Sequence, residues 1–138
     1  MTLQVYTDGG SLNNPGKAAS AFVIYKDKTI LFKEGKKIGI NTNNVAEYQA
    51  LIMAWEKIIT LISTRQIATP DKIEFFADSQ LMVNQLLGLY KVKNMELKKL
   101  FLKIKDLEKK IKTNFTYTHV LREKNSLADS LVKQAFYS

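Results

Sequence analysis

The sequence LQVYTDGGSLNNPGKA, residues 3–18, contains the first strand of the fold and the turn that follows it. Over residues 3–8 the side chains alternate between two faces, which is the period of a β-strand, and Asp8 ends the pattern. We expect the strand to stop at the glycine pair after Asp8. Pro15 and Gly16 then favour a turn, because proline fixes φ and glycine accepts unusual backbone angles.

The glycines and the lysine of this stretch raise the question of a phosphate-binding loop. Such a loop has four residues between its glycines, followed by lysine and then serine or threonine. Here five residues separate Gly10 from Gly16, and Ala18 follows Lys17, so no hydroxyl is available to hold a magnesium ion. A strand, not a helix, is expected next. We therefore reject a phosphate-binding loop, and the acid Asp8 becomes the residue of interest.

The rest of the chain predicts one α/β domain over residues 1–138, with a five-stranded mixed sheet flanked by helices. The element order is β-β-β-α-β-α-α-β-α, and the first three strands are antiparallel. Asn43 or Asn44 is the expected cap of the first helix. The later strands are expected at 18–26, 29–38, 72–78 and 114–120, and the helices at 43–63, 79–87, 95–112 and 125–136.

The composition is that of a soluble globular protein, with 46% hydrophobic and 25% charged residues. The absence of cysteine excludes disulfides, thiolate metal sites and cysteine nucleophiles. No apolar run approaches the roughly 20 residues of a membrane helix. The N-terminus shows no secretory signal. We therefore expect a cytoplasmic protein without membrane association.

The formal net charge is +8, and residues 91–112 carry nine lysines against three acidic residues. A concentrated basic patch attracts polyanions, of which nucleic acid is the commonest. The alternative is a solvated, lysine-rich helix face. Charge by itself does not decide between the two.

Four acids stand where an acid is unusual. Asp8 and Asp78 follow apolar strands, Glu47 lies on the apolar stripe of the first helix, and Asp129 lies in a mostly apolar helix. Local alternatives exist for each: turn formation, helix capping, a first-turn position and solvent exposure. If the four converge, their carboxylates repel each other, and Mg²⁺ or Mn²⁺ relieves the repulsion. Two such ions can promote hydrolysis of a phosphodiester.

Four segments match the signatures of one family in order and spacing, and they resemble type 1 ribonuclease H. The resemblance covers about residues 3–137, with one acid in each segment. It implies the ribonuclease H-like fold and a metal-dependent endonuclease that hydrolyses the RNA strand of RNA–DNA hybrids, leaving 5′-phosphate and 3′-hydroxyl ends. The segments are YTDGGSLNNPG (6–16), NTNNVAEYQAL (41–51), FADSQLMVNQL (76–86) and HVLREKNSLADSLVKQA (119–135).

By position, the resemblance makes Asp8, Glu47, Asp78 and Asp129 the ligands of two Mg²⁺ ions, for which Mn²⁺ can substitute. Asp8 is implied to bridge both ions. Asp129 is implied to hold the ion that positions the attacking water, and we expect it to be the least essential ligand. His119, the only histidine of the chain, matches a family histidine that assists proton transfer or product release. Without the resemblance, a structural role would be the better interpretation of a lone histidine.

The resemblance also implies contacts with the substrate. Amide side chains in the minor groove can contact the 2′-hydroxyl, which distinguishes RNA from DNA. Thr42 matches a position that grips a DNA-strand phosphate. Capping and turn formation are alternative roles for the same side chains, and both roles can coexist. The implied minor-groove residues are Asn14, Asn43, Asn44 and Gln80.

The region after the third acid departs from many bacterial members, which carry a basic, tryptophan-rich protrusion there. Here LLGLYKVKN (86–94) has a single aromatic residue. We expect lysines of residues 91–112, among them Lys98 and Lys99, to bind the hybrid instead. Arg122 either touches substrate or packs where the last helix begins. The segment HVLREKN resembles archaeal and some bacterial short forms. Certain of those also act on double-stranded RNA, and the resemblance therefore does not decide whether this protein cleaves double-stranded RNA as well.

Two other functions are compatible with this fold. One is a nucleic-acid-binding module with weak or no catalysis, against which the presence of all four acids argues. The other is an exonuclease or a DNA-strand-transfer relative, and the segments DSQ and REKNSLAD favour the ribonuclease over it. We expect a monomer in either case.

Overall fold

Five strands form one sheet at the centre of the computed structural model, which describes residues 1–138. The strands are β1 (Thr2–Ser11), β2 (Gly16–Lys26), β3 (Thr29–Asn41), β4 (Lys72–Ala77) and β5 (Asn114–His119). Their order is β3-β2-β1-β4-β5. β1, β2 and β3 are antiparallel, whereas β4 pairs parallel with both β1 and β5. The predicted fold class, element order and antiparallel opening are confirmed.

Helices cover both faces of the sheet. One face carries α1 (Asn43–Ser63), with α3 (Met95–Glu108) packed against it, and the other carries α4 (Ser126–Phe136), which lies over β2 and β3. None of the helices combines the length and apolar character needed to cross a membrane. The remaining helix, α2, covers Gln80–Leu86, and a 3₁₀ turn covers Arg122–Lys124.

Trp55 anchors α1 in the core. Its ring lies 4.8 Å from that of Phe75 on β4, and its indole N–H donates to the Tyr117 hydroxyl at 3.0 Å. Tyr117 in turn donates to Glu108 at the end of α3, at 2.6 Å. Aromatic packing thus fixes the position of the helix. The hydrogen bonds of Trp55 and Tyr117 restrict its orientation further. These contacts hold the middle of α1 against β4 and β5.

Several predicted boundaries are wrong, and so is the predicted cap of α1. β2 begins at Gly16 rather than at residue 18, and β3 runs to Asn41 rather than to residue 38, because the two strands stay paired until Gly16 lies opposite Asn41. β1 continues beyond the glycine pair to Ser11, because its pairing with β2 extends until Ser11 lies opposite Ala18. α3 ends at Glu108 rather than at residue 112. Thr42, and neither of the two asparagines after it, caps α1, since its hydroxyl accepts the Val45 N–H at 3.2 Å. Threonine is a good N-cap, and its position one residue earlier satisfies the first free amides of the helix.

Candidate functional site

Three of the predicted site residues lie at one edge of the sheet, where the parallel strands have their carboxyl ends. Asp8 lies near the end of β1, Asp78 directly follows β4, and His119 is the last residue of β5. Parallel strands point the same way, so the side chains at their carboxyl ends come together. A cleft of about 450 Å³ opens at this edge. Its polar lining includes Asp8, Asn43, Glu47, Asp78, His119, Arg122, Asp129 and Lys133.

Glu47 reaches this edge because α1 packs on β1 with no side chain between them. A Cβ on Gly9 would lie 2.3 Å from the carbonyl carbon of Ala46 and 2.5 Å from the nitrogen of Glu47. Only glycine permits so close an approach. From β2, the Ser20 hydroxyl donates to the Ala46 carbonyl at 2.6 Å. These contacts bring the first turns of α1, and with them the Glu47 carboxylate, against β1.

The carboxylates of Asp8, Glu47 and Asp78 form a tight cluster, with one oxygen from each lying within 4.8 Å of the others. Asp8 is 6% exposed and Glu47 is 7% exposed. The Oε1 atom of Glu47 is buried without a hydrogen-bond partner. A buried oxygen that no protein group satisfies is costly, and a divalent cation supplies the missing partner. The residues present therefore fit a metal site.

Electrostatics within the cluster favour the binding of positive charge. Burial, and then the charge of Asp78, raises the pKa of Asp8 to about 8. Burial, and then the charge of Asp8, raises the pKa of Glu47 well above its usual range. Both shifts show that the protein by itself stabilises the ionised forms poorly. A bound cation would offset that cost.

The fourth acid, Asp129, lines the same cleft but has its own counter-charges. Its Oδ2 lies 3.0 Å from Nζ of Lys133, and its Oδ1 lies 3.4 Å from Nη2 of Arg122. Burial raises the pKa of Asp129, but Lys133 and Arg122 outweigh it, and the pKa is lowered. The structure thus brings three of the four predicted acids into one cluster and places the fourth beside them, paired with cations.

The buried side chain of Asn125 also belongs to the site, and the sequence-based prediction missed it. It is 1% exposed, and its Nδ2 donates to the Thr7 carbonyl at 2.8 Å and to Asp78 Oδ2 at 3.4 Å. Its main-chain carbonyl accepts the Asp129 N–H at 3.0 Å. One residue therefore ties together the ends of β1 and β4 and the start of α4. Its only signal in the sequence, a polar residue before an apolar helix, is also typical of an ordinary cap.

Two of the predicted substrate contacts join the turn after β1 to α1. The Asn14 side-chain oxygen accepts the Asn43 N–H at 3.0 Å, and the Asn43 side-chain oxygen accepts the Ser11 N–H at 2.8 Å. Both side chains are exposed, and their NH₂ groups make no hydrogen bond within the protein. Asn44 and Gln80 are likewise exposed, in the first turns of α1 and α2. Two of these four amide side chains thus have structural contacts, and two have none. All four keep an NH₂ group that is free to donate to a ligand.

The remaining predicted contacts differ in their distance from the cluster. His119 and Arg122 are exposed on the wall of the cleft. Lys98 and Lys99 are exposed on the first turns of α3 and do not line the cleft. Any hybrid that contacts these lysines must extend beyond the carboxylate cluster.

Comparison with known proteins connects this geometry to a family. A family model described as reverse transcriptase-like matches residues 6–135. The ribonuclease H of Campylobacter jejuni is 33% identical, over 96% of this chain and 90% of its own length. A bifunctional protein of Mycobacterium tuberculosis is 34% identical over 98% of this chain, which spans only 35% of that protein.

Among solved structures, LC11-RNase H1 in complex with an RNA/DNA hybrid matches with a TM-score of 0.88 at 40% identity. The match covers 96% of this chain and 95% of LC11-RNase H1. Similarity of sequence and of fold therefore extends over nearly the whole chain. The chain belongs to the type 1 ribonuclease H family.

Proposed function

We propose that this protein is an endonuclease that hydrolyses the RNA strand of RNA–DNA hybrids and depends on Mg²⁺, with Mn²⁺ as a substitute. The observation that carries the proposal is the cluster of Asp8, Glu47 and Asp78 on the lining of an open cleft, in which Asp8 and Glu47 are buried. The protein has a net charge of +8, which attracts a polyanionic substrate. Its acidic cleft would bind the cation at which such a substrate is cleaved. The hybrid bound in the related LC11-RNase H1 structure supports this substrate class.

The three clustered acids and Asp129 are the residues that would hold two cations. When bound, such ions activate a water molecule and stabilise the leaving oxygen of the phosphodiester, which yields 5′-phosphate and 3′-hydroxyl ends. The protein contributes the fixed positions of the carboxylates, which Asn125 and the Gly9 contact maintain. The imidazole of His119, on the cleft wall, is available to move a proton or to assist product release.

Two sets of exposed side chains would hold the hybrid. The amides of Asn14, Asn43, Asn44 and Gln80 can reach a minor groove and its 2′-hydroxyls. Thr42 would approach a DNA-strand phosphate beside them. Further away, Lys98 and Lys99 would contact the phosphate backbone, and Arg122 would do so in the cleft. Because such phosphate contacts carry no sequence information, we expect cleavage with little sequence preference.

A direct test compares three labelled substrates: an RNA–DNA hybrid, duplex RNA and duplex DNA. Each is incubated with and without Mg²⁺, with the wild-type protein and with Asp8→Asn. We expect internal cuts in the RNA of the hybrid, only with the metal and only with the wild type. Binding of the hybrid without any cut would overturn the proposal in favour of a binding module. Cuts in duplex RNA as well would extend the substrate range to double-stranded RNA.

A further inference from the structure

The cleft contains an unequal distribution of positive charge. Lys133 lies one turn after Asp129 on α4, and its ammonium lies 3.0 Å from Asp129 Oδ2. Arg122 faces the other oxygen of Asp129 at 3.4 Å. No lysine or arginine lies within 4.0 Å of the carboxylates of the three clustered acids. One acid is thus masked by cations, and the other three are not.

We propose that Lys133 is a positioning residue that acts as an internal counter-ion of Asp129, which a divalent cation has to displace. In this role it sets the cation concentration at which Asp129 becomes a ligand. The inference rests on the function proposed above for this cleft. It predicts sequential filling, in which the three-acid cluster binds a cation first and Asp129 takes part only at higher concentration.

The chemistry of lysine suits a displaceable counter-ion. Its ammonium is a compact charge on a flexible stem, and it does not form the rigid two-point contact that a guanidinium can make. The Lys133 side chain is 63% exposed, so the ammonium can move into solvent when another cation takes its place. Ion pairs this exposed are weak, and their loss changes an equilibrium by about two- to fivefold. That range is sufficient to tune a cation-binding site without preventing its use.

A purely structural role makes a different prediction. An acid followed four residues later by a lysine is a common stabilising pair on a helix surface, and it adds only slightly to stability. If Lys133 did no more than this, its removal would lower the stability of α4 without changing how the protein responds to divalent cations. The response to the cation therefore separates the two roles.

The experiment measures the midpoint of thermal unfolding over several decades of Mn²⁺ concentration, since a ligand that binds the folded state raises the midpoint. We compare the wild type with Lys133→Gln and with Lys133→Arg, which keeps the charge. Lys72→Gln is the matched control, because Lys72 lies 3.8 Å from Glu74 and begins β4 at the opposite edge of the sheet. It removes the same charge far from the cleft.

In Lys133→Gln, we expect the second part of the rise in the thermal midpoint to occur at an Mn²⁺ concentration about two- to fivefold lower than in the wild type. Lys72→Gln should follow the wild-type curve. Lys133→Arg keeps the charge and can hold Asp129 at two points, so it should not lower the required Mn²⁺ concentration. The effect of Lys133→Gln should also disappear in an Asp129→Asn background, since no masked carboxylate remains there. Coincident curves for Lys133→Gln and Lys72→Gln would overturn the inference, as would persistence of the effect in the Asp129→Asn background.

A parallel assay of hybrid cleavage against Mg²⁺ concentration distinguishes this inference from the proposed function. The half-maximal Mg²⁺ concentration should fall by the same factor in Lys133→Gln. Cleavage by the wild type, together with unchanged Mn²⁺ curves, would refute the counter-ion role alone. A Lys133-dependent Mn²⁺ response in a protein that cuts no hybrid would refute the proposed function and support the counter-ion role.

Discussion

The backbone of Gly9 in β1 lies against the backbone of Ala46 in α1 with no space for a methyl group, since a Cβ on Gly9 would stand 2.3 Å from the Ala46 carbonyl carbon. The residues next to these two are Asp8 and Glu47. The contact therefore sets the separation of two carboxylates that belong to different elements. The acidic cluster exists because a helix packs on a strand at a glycine.

Gly9→Ala should push α1 away from β1 and separate Glu47 from Asp8. We expect a loss of about 1–3 kcal/mol in the free energy of unfolding, as for other overpacked cores, together with a marked loss of Mg²⁺-dependent cleavage. Gly10→Ala is the control, because a Cβ there meets its nearest atom, Asn43 Oδ1, at 3.8 Å. Urea denaturation and a hybrid cleavage assay measure both effects. Equal behaviour of the two variants would contradict the steric explanation.

Asp8→Asn should stabilise the protein in the presence of a chelator. The pKa of Asp8 rises from 3.8 to about 8 on folding, mainly through burial, so the protonated form stabilises the fold. That contribution is complete below the unfolded pKa and is lost as the pH rises through the folded pKa. At pH 8 in EDTA we expect the variant to be more stable by on the order of 1–3 kcal/mol.

As the pH rises from the unfolded to the folded pKa of Asp8, the free energy of unfolding of Asp8→Asn should fall less steeply than that of the wild type. Glu47, whose pKa is also raised, accounts for the decline that remains. Urea denaturation at a series of pH values measures this slope. Added Mg²⁺ should stabilise the wild type more than the variant, because the bound ion favours ionised Asp8. A variant that is less stable than the wild type in EDTA at pH 8 would refute the assignment of Asp8 as a buried, poorly stabilised carboxyl.

Asn125→Ala should damage both stability and catalysis, because it removes the donor to the Thr7 carbonyl and to Asp78. Leaving a buried acceptor without a partner costs about 1–3 kcal/mol. We expect kcat to fall by at least tenfold, with the KM for the hybrid little changed, since Asn125 is buried away from substrate. Asn114→Ala, an exposed position whose side chain makes no hydrogen bond, is the control. A large change in KM at constant kcat would argue for a substrate contact instead.

His119→Ala should lower kcat while leaving the fold intact. The side chain is exposed on the cleft wall, so we expect no change in the thermal midpoint. General acid–base assistance is worth at least about 10²-fold in rate, and we expect a loss of that order under single-turnover conditions. If single-turnover cleavage is unchanged and only steady-state turnover falls, the histidine serves product release rather than proton transfer. Unchanged rates in both regimes would remove His119 from the mechanism.

Charge reversal at Lys98 and Lys99 should weaken hybrid binding and flatten its salt dependence. Each lost phosphate contact reduces the slope of log K against log[salt] by about 0.7–0.9. Lys103 is left unchanged because it lies 3.7 Å from Glu56, and a glutamate there would add repulsion. Reversal at Lys26 and Lys28, two exposed lysines at the end of the sheet away from the cleft, is the matched control. Filter binding in EDTA measures all three proteins, and identical salt slopes would show that the first turns of α3 do not contact the hybrid.

The fold was predictable from the sequence to the level of element order and strand direction, because alternating and helical periodicities extend over whole elements. The boundaries of β1, β2, β3 and α3 and the cap of α1 were less predictable. β1 passes its glycine pair because β2 continues to supply hydrogen-bond partners on the far side, and a local pattern does not contain the partner strand. Thr42, rather than a neighbouring asparagine, caps α1, and the side-chain oxygen of Asn43 instead accepts the Ser11 N–H from outside the helix.

The sequence alone singled out the four acids as candidate metal ligands, since each is unusual for its local pattern and each belongs to a segment that resembles one family. It did not reveal that Asp129 is paired with Lys133 and Arg122 or that Asn125 supports the cluster. The polarity of each position can be read from the residue itself, without knowing which residues lie next to it in space. Which carboxylates share a cation, and which already contact one, depends on distances across elements, and only the packing of α1 and α4 on the sheet decides them.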